Sequence, residues 1–237
     1  MRSWRLLALP ALLLPELPLA LERADEGPSW LHWLGTDDLG RDGLARLALS
    51  TLRSAGFATA VAALALGAAL ALAALEPRLR PARSALRSVP VLLVLLPVAQ
   101  ATGGLSWGAF ALLLGGLLAL HLEAPLAAAF QPWLEGPAWL AERTLGARPL
   151  STWRRWLPFL GHRARRQLPT AWFEALWAES ALRLLGLGPG PQHDSLGLLL
   201  REQLPRFASG PTALGWAALL VALALAWSLH PEPETAP

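Results

Sequence analysis

Long uncharged runs alternate with short charged segments along almost the whole chain. Ser54 to Leu75 holds no Asp, Glu or Arg and is followed at once by "EPRLRPARSALR", the pattern of a membrane-spanning helix with a basic loop behind it. Ser88 to Leu122 is also uncharged and is interrupted by Gly103, Gly104 and Gly108. One helix of that length would reach about 52 Å against a hydrocarbon core of about 30 Å, so the run predicts a hairpin of two spans. Pro211 to His230 is a further run and ends in the polar tail "PEPETAP".

Two segments complete the count. Residues 6 to 21 are apolar apart from Glu16 and follow the basic start "MRSWR"; without a small-x-small cleavage site behind them, they predict a retained anchor rather than a signal peptide. Residues 168 to 187 carry Glu174, Glu179 and Arg183. The last two stand four apart and pair across one helical turn. Ionisable residues inside a span mark an interior or a water path, which makes Glu174, Glu179 and Arg183 candidate pathway residues.

The pattern therefore predicts an all-α polytopic membrane protein, one domain over residues 1–237 with about six transmembrane helices. A first span or anchor covers 1–21 and an external segment 22–46. Further spans cover 47–75, 88–104, 106–130, 168–187 and 211–230, and a cytoplasmic loop covers 131–167. Arginine placement agrees. With both termini inside, the inner segments hold Arg2, Arg5, Arg78, Arg80, Arg83, Arg87, Arg143, Arg148, Arg154, Arg155, Arg163, Arg165 and Arg166, and the outer ones only Arg23, Arg41, Arg46, Arg201 and Arg206. That bias follows the positive-inside rule only if the run between the two basic clusters crosses twice.

Composition narrows the chemistry. The chain is 54% hydrophobic and 16% charged, with a mean hydropathy of +0.41, far from an ordinary soluble domain. All 20 basic residues are Arg, and Lys and Cys are absent. A P-loop lysine, a disulfide, a thiolate nucleophile and a Cys-ligated metal site are thereby excluded. The formal charge is only +3, and the arginines alternate with apolar spans, which fits membrane topology rather than nucleic acid. His32, His121, His162, His193 and His230 form no metal-ligand spacing, so no metal or cofactor is expected.

Three local patterns invite functional readings. In "HWLGTDDLGRDGLARL", His32 to Leu47, the carboxylates Asp37, Asp38 and Asp42 resemble cation ligands. The spacing fits no EF-hand loop, and Asp42 as the cap of a helix beginning at Gly43, with Arg46 one turn later, is the simpler account. "GLSWG", Gly104 to Gly108, satisfies the G-x-S-x-G pattern and raises an intramembrane serine peptidase using Ser106, with His121 as a base if the hairpin folds back. A turn or a small-residue helix contact explains it better. Trp30, Trp33, Trp107, Trp133, Trp139, Trp216 and Trp227 lie near predicted span ends or in the 131–167 region, as interfacial anchors do, and the 154–166 arginines suit anionic lipid.

The charged turn also resembles the external signature of the oligopeptide, dipeptide and nickel family of ABC-transporter permeases, of the C-type subunit, roughly H-x-x-G-T-D-x-L-G-R-D-x-x-x-R. Gly35, Thr36, Asp37, Leu39, Gly40, Arg41, Asp42 and Arg46 match it. "ESALRLLGLGPGPQHDSLGLLL" is similar to that family's E-A-A-L-S-F-L-G-L-G segment and its continuation, through Glu179, Ala181, Leu182, Leu185, Gly186, Leu187, Gly188, Pro191, Ser195, Gly197 and Leu200. "LRSVPVLLVLLP" keeps Arg87 and Pro97 of a third segment, with Pro90 in place of an Asp.

The resemblance implies the type I importer permease fold. It implies partnership with a second permease subunit and separate ABC ATPase subunits, and solute delivery by an extracytoplasmic solute-binding protein. It also places an ATPase-coupling loop in "LAERTLGARPLSTWRRWLP", with Ala141, Arg143, Leu145, Gly146, Leu157 and Pro158 at matching positions. The usual Glu is displaced there, and Arg183 stands where the family has a small Ser. A membrane scaffold without transport is the remaining alternative.

Overall fold

The computed structural model describes residues 17–74, 85, 88–101, 106–134, 136–146, 149–187, 194–209 and 212–228. Residues 1–16, which form most of the first predicted span, and the loop arginines Arg78, Arg80 and Arg83 lie outside the described residues. Among the described residues every extended regular element is helical. A 3-10 turn at Leu21–Arg23 precedes α1 (Gly43–Ala74), α2 (Val91–Ala101), α3 (Trp107–Leu134), α4 (Pro137–Thr144), α5 (Pro149–Leu184), α6 (Leu196–Ser209) and α7 (Ala213–Ser228). The only β pairing among them is an isolated antiparallel bridge between Thr36 and Asp42.

Among the described residues a helix overlaps each predicted span after the first. The span expected at 47–75 starts at Gly43, because the Asp42 carboxylate accepts the Ala45 N–H at 2.8 Å and caps the helix there. The stretches Gly43–Leu72 and Trp107–Ala128 are long and apolar enough to cross a membrane, and Ala213–Leu225 forms a shorter apolar helix.

Residues 131–167, expected as the cytoplasmic coupling loop, are largely helical. α3 continues to Leu134, α4 forms a separate short helix, and α5 runs from Pro149 through Leu184. Pro158, although a proline, lies inside α5. Proline's φ is already helical, so the helix continues past it with one hydrogen bond missing.

α1 is the central element and packs against α3 and α5. Its inner face is built from Ala55, Ala58, Ala62, Ala65 and Ala69, all buried, so neighbouring backbones approach closely, as helices packed in a bilayer require. Larger groups fill the remaining space. Phe57 stacks on Phe110 with ring centroids 5.2 Å apart and meets Trp107 edge-on at 4.9 Å. The buried Trp172 indole N–H of α5 donates to Thr59 Oγ1 of α1 at 2.9 Å. A second cluster, Leu47, Leu196, Leu199, Leu214 and Ala218, joins the start of α1 to α6 and α7.

Candidate functional site

The charged turn folds into a crown at the N-terminal end of α1, and two glycines allow it. Gly35 and Gly40 have φ of +75° and +71°, a region costly for residues with a Cβ. At Gly40 a Cβ would also collide with the Ala20 carbonyl. Asp37 is the hub of this turn. Its Oδ1 accepts the backbone N–H groups of Leu39 at 3.0 Å and Arg41 at 2.8 Å, and its Oδ2 accepts Arg41 Nε at 2.7 Å and Arg46 Nη1 at 2.9 Å. Burial raises the Asp37 pKa, but the Arg41 N–H, the Arg41 guanidinium and the Arg46 charge outweigh it and hold the carboxyl below its ordinary value. Thr36 Oγ1 donates to the Arg23 carbonyl and accepts the Glu26 N–H, closing the turn onto the preceding segment. Asp42 Oδ1 pairs with His32 Nδ1 at 2.8 Å.

Arg46 carries the crown across to the far end of the sequence. Its Nε and Nη2 donate to Asp194 Oδ1 at 3.1 and 3.0 Å, and Nη2 also donates to Glu202 Oε2 on α6 at 2.5 Å. Arg41 Nη1 lies 3.8 Å from Asp194 Oδ2. Arg46 was expected to act as the turn-later neighbour of Asp42. It reaches instead for the buried Asp37 and Asp194 and the more exposed Glu202, Asp42 being already occupied. On the rim, Arg206 of α6 pairs with Asp25 at 2.8 Å.

A second polar layer lies beneath. The fully buried Glu179 of α5 accepts the Ser54 hydroxyl of α1 at 3.1 Å, and the same hydroxyl oxygen accepts the Leu196 N–H at the start of α6 at 3.0 Å. One serine thus ties three helices together. Arg183 Nε lies 3.6 Å from Glu179 Oε1, the expected turn-apart pair, and its guanidinium rests 4.7 Å above the Trp107 ring. Gly197 packs where a Cβ would strike the Ser180 carbonyl, so α6 crosses α5 at close quarters, and Ser195 caps α6 by accepting the Leu198 N–H at 3.3 Å.

The structure therefore brings Gly35, Thr36, Asp37, Leu39, Gly40, Arg41 and Asp42 together with the segment around Glu179, Gly186 and Gly197. Glu179 and Arg183 are buried in the helix packing, whereas Glu174 is half-buried one helical turn or more away. Asp37 has its oxygens filled by arginine and backbone donors and offers little to a cation. Ser106 accepts the Ala109 N–H and caps α3. His121 sits fifteen residues further along the same helix line, about 22 Å away, with Nδ1 3.1 Å from the Leu117 carbonyl, so His121 is not brought to Ser106. Trp107 lies in the aromatic cluster, while Trp30 and Trp33 protrude from the crown.

Of the coupling positions, Ala141 and Leu145 are exposed, and Leu145 N–H closes onto the Ala141 carbonyl at 3.0 Å. Gly146 follows at φ +76°, with open space around it, and ends α4 in the left-handed conformation that glycine favours. Arg143 lies in α4, and Leu157 and Pro158 lie in α5.

Sequence reasoning missed Asp194, Glu202 and Ser54. Asp194 stands directly before the Ser195 cap in the second motif, and Glu202 six residues into the amphipathic α6; an acid in an outer segment facing unpaired signature arginines was the available signal. Compared with known proteins, the chain matches no family model and no curated protein.

Proposed function

We propose that this chain is a permease subunit of a binding-protein-dependent ABC importer, a multi-pass protein of a bacterial inner membrane with six spans and both termini in the cytoplasm. It forms half of the pathway for a small solute, peptide-like or nickel-like. A second permease subunit forms the other half, separate ABC ATPase subunits supply the energy, and an extracytoplasmic solute-binding protein delivers the solute. The chain itself performs no bond chemistry.

The observation that carries this reading is the Arg46–Asp194 contact. It unites the two segments that resemble the permease signatures, although they lie 148 residues apart. Both segments fall in regions assigned to the outer side by arginine placement, so their meeting at one end of the bundle supports that map. At the other end of α3, α4 and the Gly146 turn present an exposed short helix, a form suited to docking on an ATPase.

The test is affinity purification of the tagged chain from its own membranes in mild detergent, as wild type and as Gly146→Trp, with ATP-dependent solute uptake measured in parallel. A second permease and an ABC ATPase should follow the wild type, and the variant should lose the ATPase and uptake while keeping the permease. Absence of both partners from the wild type would overturn the importer reading.

A further inference from the structure

Beside the crown, α5, α6 and α7 enclose a groove of about 460 Å³ whose lining includes Phe173, Trp177, Leu184, Leu200, Leu219 and Leu223. Its wall is apolar apart from Ser180. From Phe173 to Leu184 the groove follows α5 for about 16 Å at 1.5 Å per residue. That matches the depth of one leaflet, about 15 Å or half of the hydrocarbon core.

A cation stands at the crown end of this slot. Arg201 follows Leu200 on α6, and its guanidinium lies over Gly186, where a Cβ would come within 2.8 Å of Cζ. Gly186 itself has φ of +79°, so both the backbone and the arginine above it call for glycine. Arg201 is exposed, and among the described residues no acidic group pairs with it. Three neighbouring crown arginines are engaged: Arg41 with Asp37, Arg46 with Asp37, Asp194 and Glu202, and Arg206 with Asp25. An unpaired guanidinium above an apolar slot of leaflet depth is complementary in charge and shape to an amphiphile with an anionic head. A helix of a partner protein, about 10 Å across, would cover the rim without entering the slot.

We propose that this groove binds an anionic phospholipid of the surrounding bilayer, with one acyl chain between α5, α6 and α7 and its phosphate on Arg201. The inference needs the membrane and is independent of transport. The test is native mass spectrometry of the tagged full chain in mild detergent, titrated with phosphatidylglycerol or with phosphatidylcholine of the same acyl chains. Wild type should prefer phosphatidylglycerol. Arg201→Gln, at an exposed position, should lower that binding about fivefold, the factor equivalent to about 1 kcal/mol per basic residue at an anionic surface, and lower phosphatidylcholine binding less, because its choline cation offsets the phosphate. Leu223→Trp, which fills the groove from an exposed position, should weaken both lipids.

Equal binding of the two lipids by wild type, or unchanged phosphatidylglycerol binding by Arg201→Gln, would overturn the proposal. So would a Leu223→Trp protein that keeps its lipid but sheds a co-purifying subunit, since the groove would then be a seam between proteins. A chain recovered from the soluble fraction of cells would sink both this site and the transport reading, whereas a membrane-extracted chain without headgroup preference sinks the lipid site alone.

Discussion

Replacing Arg46 with Gln tests the crown most directly, because it removes the charge while keeping a polar side chain of similar reach. Arg46 and Asp37 side chains are each 1% exposed and Asp194 is 4% exposed, whereas Glu202 is 39% exposed. Glu202 can therefore turn to water, and its pairing adds little to the balance. Asp37 and Asp194 cannot. Breaking a buried ion pair by removing one partner costs about 3–5 kcal/mol, and Arg41 still serves Asp37 at 2.7 Å and stands 3.8 Å from Asp194, so the lower end applies. At about 2–4 °C per kcal/mol for a chain of this size, the thermal midpoint should fall by about 6–12 °C when tryptophan fluorescence is followed in mild detergent. Adding Asp194→Asn to Arg46→Gln should cost less than the sum of the two single changes, by on the order of 2 kcal/mol, as directly bonded groups do. A midpoint shift below about 2 °C, or strict additivity of the two changes, would refute the claim that Arg46 and Asp194 fasten the crown to the body.

Gly40→Ala should destabilise by more than the about 1–2 kcal/mol of a left-handed backbone alone, since the new methyl group meets the Ala20 carbonyl; early proteolysis of the 17–34 segment would report it. Ser54→Ala strands the Leu196 N–H and leaves Glu179 Oε2 with the longer Ser180 hydroxyl bond at 3.4 Å, and should cost about 1–3 kcal/mol, with helical content by circular dichroism unchanged. The lowered Asp37 pKa stabilises the folded chain fully above the unfolded carboxyl value of about 3.9 and progressively less as pH falls through the folded value. Thermal midpoints should accordingly hold from pH 7 to 5 and drop below about pH 4 through this group, an acid limb that Asp37→Asn should flatten.

Helix positions were legible because an uncharged run long enough to span leaves few alternatives, and α1, α3 and α7 lie where those runs predict. The Asp42 cap was legible for the same reason, since capping is local chemistry three residues deep. The course of 131–167 was not, because proline at 158 reads as a stop although its backbone angles are helical. Nor were the partners of Arg46 or the Ser54 link. These depend on residues brought together from 142 and 148 positions away, and pairing at that separation is set by how α6 folds back over α1 and α5. Each motif contained half of the site, and the acids that complete it were ordinary outer-loop residues until the fold placed them.

The density of links between α6 and the crown decides what can move. Ser54 bonds the start of α6 to α1 and Glu179, Arg46 bonds it through Asp194 and Glu202, and Arg206 bonds its far end to Asp25. Separating α6 from α1 would therefore strand several buried charges at once, at several kcal/mol each, while among the described residues α4 packs chiefly against α3. Any ATP-driven motion should carry the crown, α1 and α6 as one rigid unit and take up its bending near α4 and Gly146. The absence of native cysteine makes this testable without background. With Asp25→Cys and Arg206→Cys bridged by a short bis-maleimide across the 2.8 Å ion-pair site, uptake in reconstituted vesicles should stay within about twofold of the unbridged protein, since the bridge opposes no motion that costs less than breaking the buried network. Abolished uptake on bridging, restored when only one of the two cysteines is present, would show that α6 swings away from the crown during transport and that the buried network is a latch which opens in each cycle.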